Sequence, residues 1–518
     1  MGAVWHSGEW RAKQRRAPLR RARRLPSLIG AVVWGLFLAY PGATALATER
    51  ECKAVDEQQD TAADALWQRL TGREDKRRPL EPWCMDIAGH PLTAGGEYEI
   101  SLDRSRRLGD AGQRPLERGV LLQGLGLEAF YTLGPPVSLF AQVQVKKEKD
   151  LGARTAETAS DYIVERGEMW FYSEDIAGSG VSVDLGRLQF EDERRWWWDH
   201  ELDAIRVAYE TKTFDVSLAL AQELAPRRSD RSHLDPEHER VLRIIGEASW
   251  NWSAAHALQL FLLLHNDRSY TELPGQVVSA VREDPSDARL TWFGARLLGT
   301  FVYPSGGALG YWFDAARVRG RERLVEFDVL TPQQRVATQQ TQHDVRGWAV
   351  DAGINWLFPL AWKPRLFTGY AFGSGDPTPK DGTDRSFRQT GIHANQAGFG
   401  GVQRFNHYGV LLDPELSNLA VRTVGAGLSL ARSSSLDLVY HDYRLDNPNS
   451  PLRNARLDFT PTGTSSNFGQ EVGLVIALEE WERVEIEFVA SVFQAGRSFG
   501  SERGRRSYGS FFTVRYVF

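Results

Sequence analysis

Downstream of Thr48 the sequence has no apolar run of the roughly 20 residues that a bilayer-spanning helix requires. Any membrane insertion of this part must therefore use strands, because only helices and closed barrels satisfy their backbone in lipid. Basic residues are not in excess. The formal net charge is −5, and residues 1–47 hold eight basic residues and one acidic one, so the remainder is near −12. That excludes a basic nucleic-acid footprint. Cysteine is scarce, with only Cys52 and Cys84. Gly-x-Ser-x-Gly, His-Glu-x-x-His and phosphate-loop strings are absent, and Gly124-Leu-Gly126 and Gly425-Ala-Gly427 lie in strand-like runs, not before a helix. No catalytic group, cofactor or metal site is expected.

What is present begins with Arg11, Lys13, Arg15, Arg16, Arg20, Arg21, Arg23 and Arg24 ahead of an apolar run from Leu28 to Tyr40. Pro41-Gly42 and the small-residue stretch Ala43–Ala47 follow, so residues 1–47 read as a signal peptide cleaved after Ala47. Residues 48–93 form a separate segment, expected to be a short helical periplasmic extension or, alternatively, a mobile N-terminal one. Ala63, Leu66, Trp67 and Leu70 recur at helical spacing, and Gly72 and Pro79 bound the run. In an oxidising compartment Cys52 and Cys84 are expected to form a disulfide that pins this segment outside the sheet.

From residue 94 to residue 518 the period is two. Val137, Leu139, Ala141, Val143 and Val145 alternate with Ser138, Gln142 and Gln144. Val484, Ile486, Phe488, Ala490 and Val492 alternate with Glu485, Glu487 and Ser491, and Phe512, Val514, Tyr516 and Phe518 with Thr513 and Arg515. Such alternation makes a sheet with one apolar and one polar face. Short turns (Gly134-Pro135-Pro136, Leu357–Pro364) contrast with long polar stretches (Pro226–Glu239, Gly373–Arg404), and aromatics such as Trp170, Trp356, Trp362 and Tyr370 cluster near run ends. The pattern predicts an all-β chain folded as a large antiparallel transmembrane barrel of roughly 16 to 20 strands. A barrel that wide is expected to enclose water, not a packed core. The terminal Phe518 resembles the signal read by barrel-assembly machinery, which places the protein in the outer membrane of a Gram-negative bacterium.

A further set of strings appears in order along this region: Leu185-Gly-Arg187, Trp196-Trp-Trp-Asp199 with Glu201–Ile205, Gly369–Asp376 with Phe387–Gly391, Gln403-Arg-Phe405, Glu415–Leu419, Leu438–His441 and Gly469-Gln-Glu471. With these the chain resembles the alginate-export family of outer-membrane barrels. The resemblance implies eighteen strands and passive export of an anionic exopolysaccharide through a lumen lined with bases. It also implies pore-lining roles for Arg166, Glu168, Arg187, Asp199, Arg228, Asp230 and Arg404. The sequence departs from that pattern at positions where constriction bases are expected, which hold Glu97, Glu128 and Glu487, with Gln189 and Val489 at others. Three carboxylates there would oppose a polyuronate and favour a less charged polymer.

Three motifs have competing readings. The Trp196–Trp198 string suits an interfacial girdle, with one ring open to sugar stacking. His233 and His238, in the stretch Arg227–His238, have poor ligand geometry and read as a solvated loop. Asp376–Asp384 lacks the calcium-loop pattern and reads as an ordinary polar loop. The expectation is an exopolysaccharide export channel. The alternatives are a substrate-selective porin for small organic solutes and, more distantly, an outer-membrane hydrolase. Expected partners are outer-membrane lipid and lipopolysaccharide, the transported polysaccharide or solute, and secretion components at the periplasmic mouth.

Overall fold

The computed structural model describes residues 83–107, 116–134, 137–151, 162–269, 272–379, 381–399, 401, 405–450, 452–456, 465–481 and 483–518. The signal peptide, the helix expected near residues 56–70, and Cys52 with its disulfide lie outside the described residues, as does Arg404.

The barrel strands are β1 (His90–Arg107), β2 (Leu116–Gly134), β3 (Val137–Asp150), β4 (Ile163–Ser173), β5 (Val181–Glu191) and β6 (Asp199–Glu210). There follow β7 (Phe214–Gln222), β8 (Leu242–Ser253), β9 (His256–Asn266), β10 (Ser286–Val302), β11 (Ala308–Thr331) and β12 (Gln334–Leu357). The last six are β13 (Arg365–Gly373), β14 (Leu419–Ser429), β15 (Ser434–Leu445), β16 (Asn467–Trp481), β17 (Val484–Ala495) and β18 (Arg506–Val517). Each pairs antiparallel with its neighbours in chain order, and β1 pairs with β18 from Glu97↔Val517 to Arg106↔Tyr508, closing the sheet at eighteen strands. Closure removes the exposed edges that lipid would not tolerate.

The barrel starts earlier than residue 94. Trp83–Ile87 forms a hairpin with β1, pairing Trp83 with Ala94 and Ile87 with His90, so Cys84 lies in a strand paired to the barrel and not in a segment outside the sheet. Asp86 makes the turn possible by accepting the Gly89 N–H at 2.8 Å.

The alternation reads correctly onto the two faces. Leu139, Phe512 and Tyr516 are exposed outward, while Gln144, Ser491 and Arg515 are buried inward. Phe488 pairs with Ile476 and Phe512 on the outer face, and Glu487 with Ala477 and Thr513 on the inner one. With Cys52 and Cys84 replaced by Ser, a membrane-impermeant thiol reagent is expected to modify Glu487→Cys and spare Phe488→Cys. Modification of the latter from the aqueous pore would break this register.

The connections 174–180, 211–213, 254–255, 303–307, 358–364 and 430–433 gather at one end, with Phe518. That end is periplasmic in barrels of this kind. The long loops gather at the other.

The lumen is not simply aqueous. The β5–β6 connection (192–198) and the β13–β14 loop (374–418) turn inward, and Trp197, Phe261, Phe387, Ile392, Tyr408, Leu412 and Phe493 form one buried apolar cluster. Barrel diameter alone does not decide filling, because a loop with enough apolar residues gains by burying them against the wall.

Candidate functional site

The inward turn 192–198 is built by one side chain. Asp192 Oδ2 accepts the backbone N–H groups of Trp197 (2.7 Å) and Trp198 (3.0 Å), and Oδ1 that of Arg194 (3.1 Å). Arg195 completes the turn at φ 47°. This geometry throws all three tryptophans into the lumen, where each is 1 to 2% exposed. Trp197 stacks on Phe261 at 4.8 Å and Trp196 on Phe387 at 6.0 Å. The rings therefore form neither a lipid girdle nor an open sugar platform: the string follows a strand end, but its turn bends inward.

Buried arginines fasten this turn to β10, β11 and β12 and to its own strand ends. Arg296 on β10 pairs with Asp192 at 2.5 Å and with Asp314 on β11 at 2.7 Å. Arg194 reaches Asp351 on β12 at 2.8 Å and lies over the Trp312 ring at 4.4 Å. Arg195 pairs with Glu191 (2.9 Å) and Asp199 (3.2 Å). Burying such charges is costly unless geometry and hydrogen bonding are nearly complete, so the network specifies one position for the turn.

The long loop interlocks with it. Asp199 N–H donates to Ile392 O at 2.6 Å, and the N–H groups of Ala394 and Asn395 donate to Arg195 O at 2.9 Å. Trp196 Nε1 donates to Tyr408 Oη at 2.6 Å, and that hydroxyl donates to Asp351 at 2.8 Å. At the far side Glu471 on β16 accepts the N–H groups of Leu411 (2.8 Å) and Leu412 (3.0 Å). Residues 377–379 and 381–382 are exposed, as in an ordinary polar loop, while Asp376 is buried and Asp384 half-buried at its ends. Burial alone would raise the Asp384 carboxyl, but Arg388 and Arg453 beside it hold it below the usual range.

A second charged region lies where β4 and β5 part. Those strands pair only from Met169↔Arg187 to Ser173↔Val183. Above that point residues 225–229 of the β7–β8 loop dock on β4, with Arg166 N–H donating to Arg227 O (3.1 Å) and Ser229 N–H to Val164 O (2.9 Å). This brings together Arg166 of β4, Arg187 of β5, and Arg228 and Asp230 of the β7–β8 loop. Arg166 forks onto Asp203 at 2.9 and 3.0 Å, Arg187 pairs with Glu201 at 3.1 Å, and Arg228 with Asp230 at 3.0 Å. Lys146 and Arg227 share Glu165 at 2.5 and 3.5 Å. Close by, burial raises the Glu223 carboxyl, but the His200 hydrogen bond and the charges of His238 and Arg187 outweigh it and bring it down to about 2. Glu168 and Asp199 meet through Gln189, whose side chain donates to Asp199 at 2.6 Å and whose N–H donates to Glu168 at 3.4 Å. So each base is already held by a carboxylate, and an anionic polymer would have to compete for it.

The third region is the periplasmic mouth. Glu97, Glu99, Glu128, Glu485 and Glu487 stand on the inner faces of β1, β2 and β17. Arg515 on β18 serves three of them, reaching Glu485 at 2.8 Å, Glu99 at 3.0 Å and Glu97 at 3.2 Å. Carboxylates outnumber the base here.

Sequence reasoning missed Asp192, Arg194, Arg296, Asp314, Asp351 and Tyr408. The one available signal was a charge at an inward position of an otherwise apolar alternation, as at Asp314 and Asp351. Periodicity cannot tell a residue facing water from one facing an inward loop.

A closed eighteen-stranded barrel with charged inner positions and interlocked inward loops defines an outer-membrane porin-type protein. Its sequence places it further: the alginate export family profile matches residues 115–512, and the chain belongs to that family. It is 28% identical over 324 residues to the alginate production protein AlgE of Pseudomonas aeruginosa, covering 62% of this chain and 64% of that one. To AlgE of Azotobacter vinelandii it is 24% identical over 292 residues, covering 54% and 58%. The chain thus spans less than two thirds of the length of the curated relatives it matches. Among solved structures, OpdQ (12% identity) and the outer membrane protein OpdK (10%), both of Pseudomonas aeruginosa, share the fold, each with TM-score 0.52 and covering 82% of this chain and 98% of theirs.

Proposed function

We propose that the protein is an outer-membrane channel that exports an exopolysaccharide of lower charge density than a polyuronate, with the two inward loops as its gate. The family supports the export role, as does the name of its relatives, alginate production protein. The acidic periplasmic mouth carries the departure from alginate: at ~4 Å two unit charges interact by several kcal/mol at an effective dielectric of 20, so like charges there oppose entry by as much. A porin for small organic solutes is the second reading, favoured by the loops packed across the lumen.

Rings of carboxylates select cations. Planar-bilayer recordings in a KCl gradient should give a reversal potential favouring K⁺ over Cl⁻, more so at low salt where screening weakens. Glu97→Gln with Glu128→Gln and Glu487→Gln should shift it toward Cl⁻. Anion selectivity in the unmodified channel would defeat this reading. Oligosaccharides added on the periplasmic side should block the current, neutral ones more than oligouronates, whereas block by small organic acids alone would favour the second reading.

A further inference from the structure

The outer wall carries a feature that the transport reading does not use. On β11 the outward positions Arg317, Arg319, Arg321 and Arg323 follow one another, and all are exposed. Their register partners extend the set sideways: Arg289 on β10 lies opposite Arg321, and Arg346 on β12 opposite Arg319. Alternate residues on a strand are ~7 Å apart and cross-strand partners ~5 Å, so six guanidinium groups share one compact field. Two outward carboxylates lie within it. Asp344 approaches Arg321 at 3.3 Å and Arg346 at 3.4 Å, and Asp287 approaches Arg323 at 3.7 Å. Among the described residues Arg289, Arg317 and Arg319 form no ion pair with a carboxylate, and Arg319 lies over the Phe293 ring at 5.8 Å.

The field has a defined height. Directly toward the periplasmic end the same strands become apolar on their outer face, with Ala295, Leu297 and Phe301 on β10, Ala315, Phe313 and Leu309 on β11, and Val350, Ile354 and Trp356 on β12. From the level of Phe293, Arg317 and Trp348 down to Phe301, Leu309 and Trp356 the wall runs ~26 Å along the strands, which is ~20 Å in height once strand tilt is allowed for, near the ~25 Å apolar band of an outer-membrane barrel. The arginines thus begin at the extracellular boundary of the hydrocarbon, the level of the outer-leaflet headgroups. Trp348 marks the same boundary, packed on Phe372 with ring centroids 4.9 Å apart. Arg346 and Trp348 also line a groove of about 540 Å³ whose far side is formed by Ser374, Arg385 and Asn447.

A surplus of cations above an apolar wall matches a ligand with phosphates in its headgroup and several acyl chains below. We propose that the outer face of β10–β12 is a binding site for the phosphorylated glycolipid of the outer leaflet, lipopolysaccharide. Its phosphates are held by Arg289, Arg317, Arg319, Arg321 and Arg346, and its acyl chains lie on the apolar rows beneath. Guanidinium groups bind phosphate through paired, charge-assisted hydrogen bonds and keep their charge at any working pH. The site does not depend on what the channel carries.

The test uses the full mature protein in mild detergent, with lipopolysaccharide binding read by native mass spectrometry and by the shift in thermal unfolding. The triple substitution Arg317→Gln, Arg319→Gln, Arg346→Gln should weaken binding at least tenfold, as estimated for loss of several charge-assisted contacts. Arg422→Gln, a change to an outward arginine elsewhere on the wall, should leave it unchanged. Dephosphorylated lipopolysaccharide should bind the unsubstituted protein as weakly as the intact lipid binds the triple variant, an arm that decides the matter even if the variant folds poorly. Equal binding of both lipids to the unsubstituted protein would overturn the site. So would binding of a polyuronate to the arginine field in place of the lipid.

Discussion

Excising residues 386–412 and bridging the ends with a short glycine–serine linker should raise single-channel conductance severalfold. Barrels of 16 to 18 strands enclose a water-filled passage unless loops occupy it, so conductance follows the cross-section that the loops leave open. Here residues 386–412 contribute Phe387, Ile392, Tyr408, Leu411 and Leu412 to the buried cluster. They hold their place through Tyr408 on Asp351 and through the Leu411 and Leu412 N–H groups on Glu471. The wall does not depend on them, since every strand pair from β1 to β18 is closed by its own ladder. Planar-bilayer recordings at fixed salt measure the effect, and the heat-dependent gel shift of folded barrels verifies that the wall survives. An unchanged conductance would mean that the loop does not limit the passage.

Asp192→Ala should destabilise the folded state by at least about 3–5 kcal/mol, the cost of removing one partner from a buried ion pair. The carboxylate balances Arg296, which is fully buried, and accepts three backbone N–H groups that define the 192–198 turn. Without it Arg296 keeps its ion pair with Asp314, and each orphaned N–H adds a desolvation penalty of about 1–3 kcal/mol where water cannot reach it. Asp192→Asn separates the two contributions: it keeps an acceptor for the backbone and removes the charge, so its loss should be smaller. Unfolding midpoints from the gel shift and from tryptophan fluorescence report the effect. Because Trp196, Trp197 and Trp198 leave the core together when the turn opens, the alanine variant should also show red-shifted emission at low temperature. Wild-type stability in the alanine variant would mean that the network is dispensable.

Much of this protein was legible without coordinates. Strand periodicity assigned Leu139, Phe488 and Tyr516 to the lipid side and Glu487 and Arg515 to the lumen, because side chains alternate across a sheet whatever its partners. The ordered strings from Leu185 to Glu471 pointed to the family, and the contrast between short turns and long polar stretches pointed to an outer-membrane barrel. The tertiary structure alone decided where the long loops go. Nothing local to Trp196–Trp198 says that Asp192 will turn the chain inward, since the charge balancing it, Arg296, is 104 residues away. Nor does sequence order reveal that Arg166, Arg187 and Arg228 meet where β4 and β5 separate, each already paired with a carboxylate. A strand's alternation follows from its own covalent geometry. The filling of a lumen and the pairing of a charge are set by residues distant in the chain, and closure of the barrel brings them together.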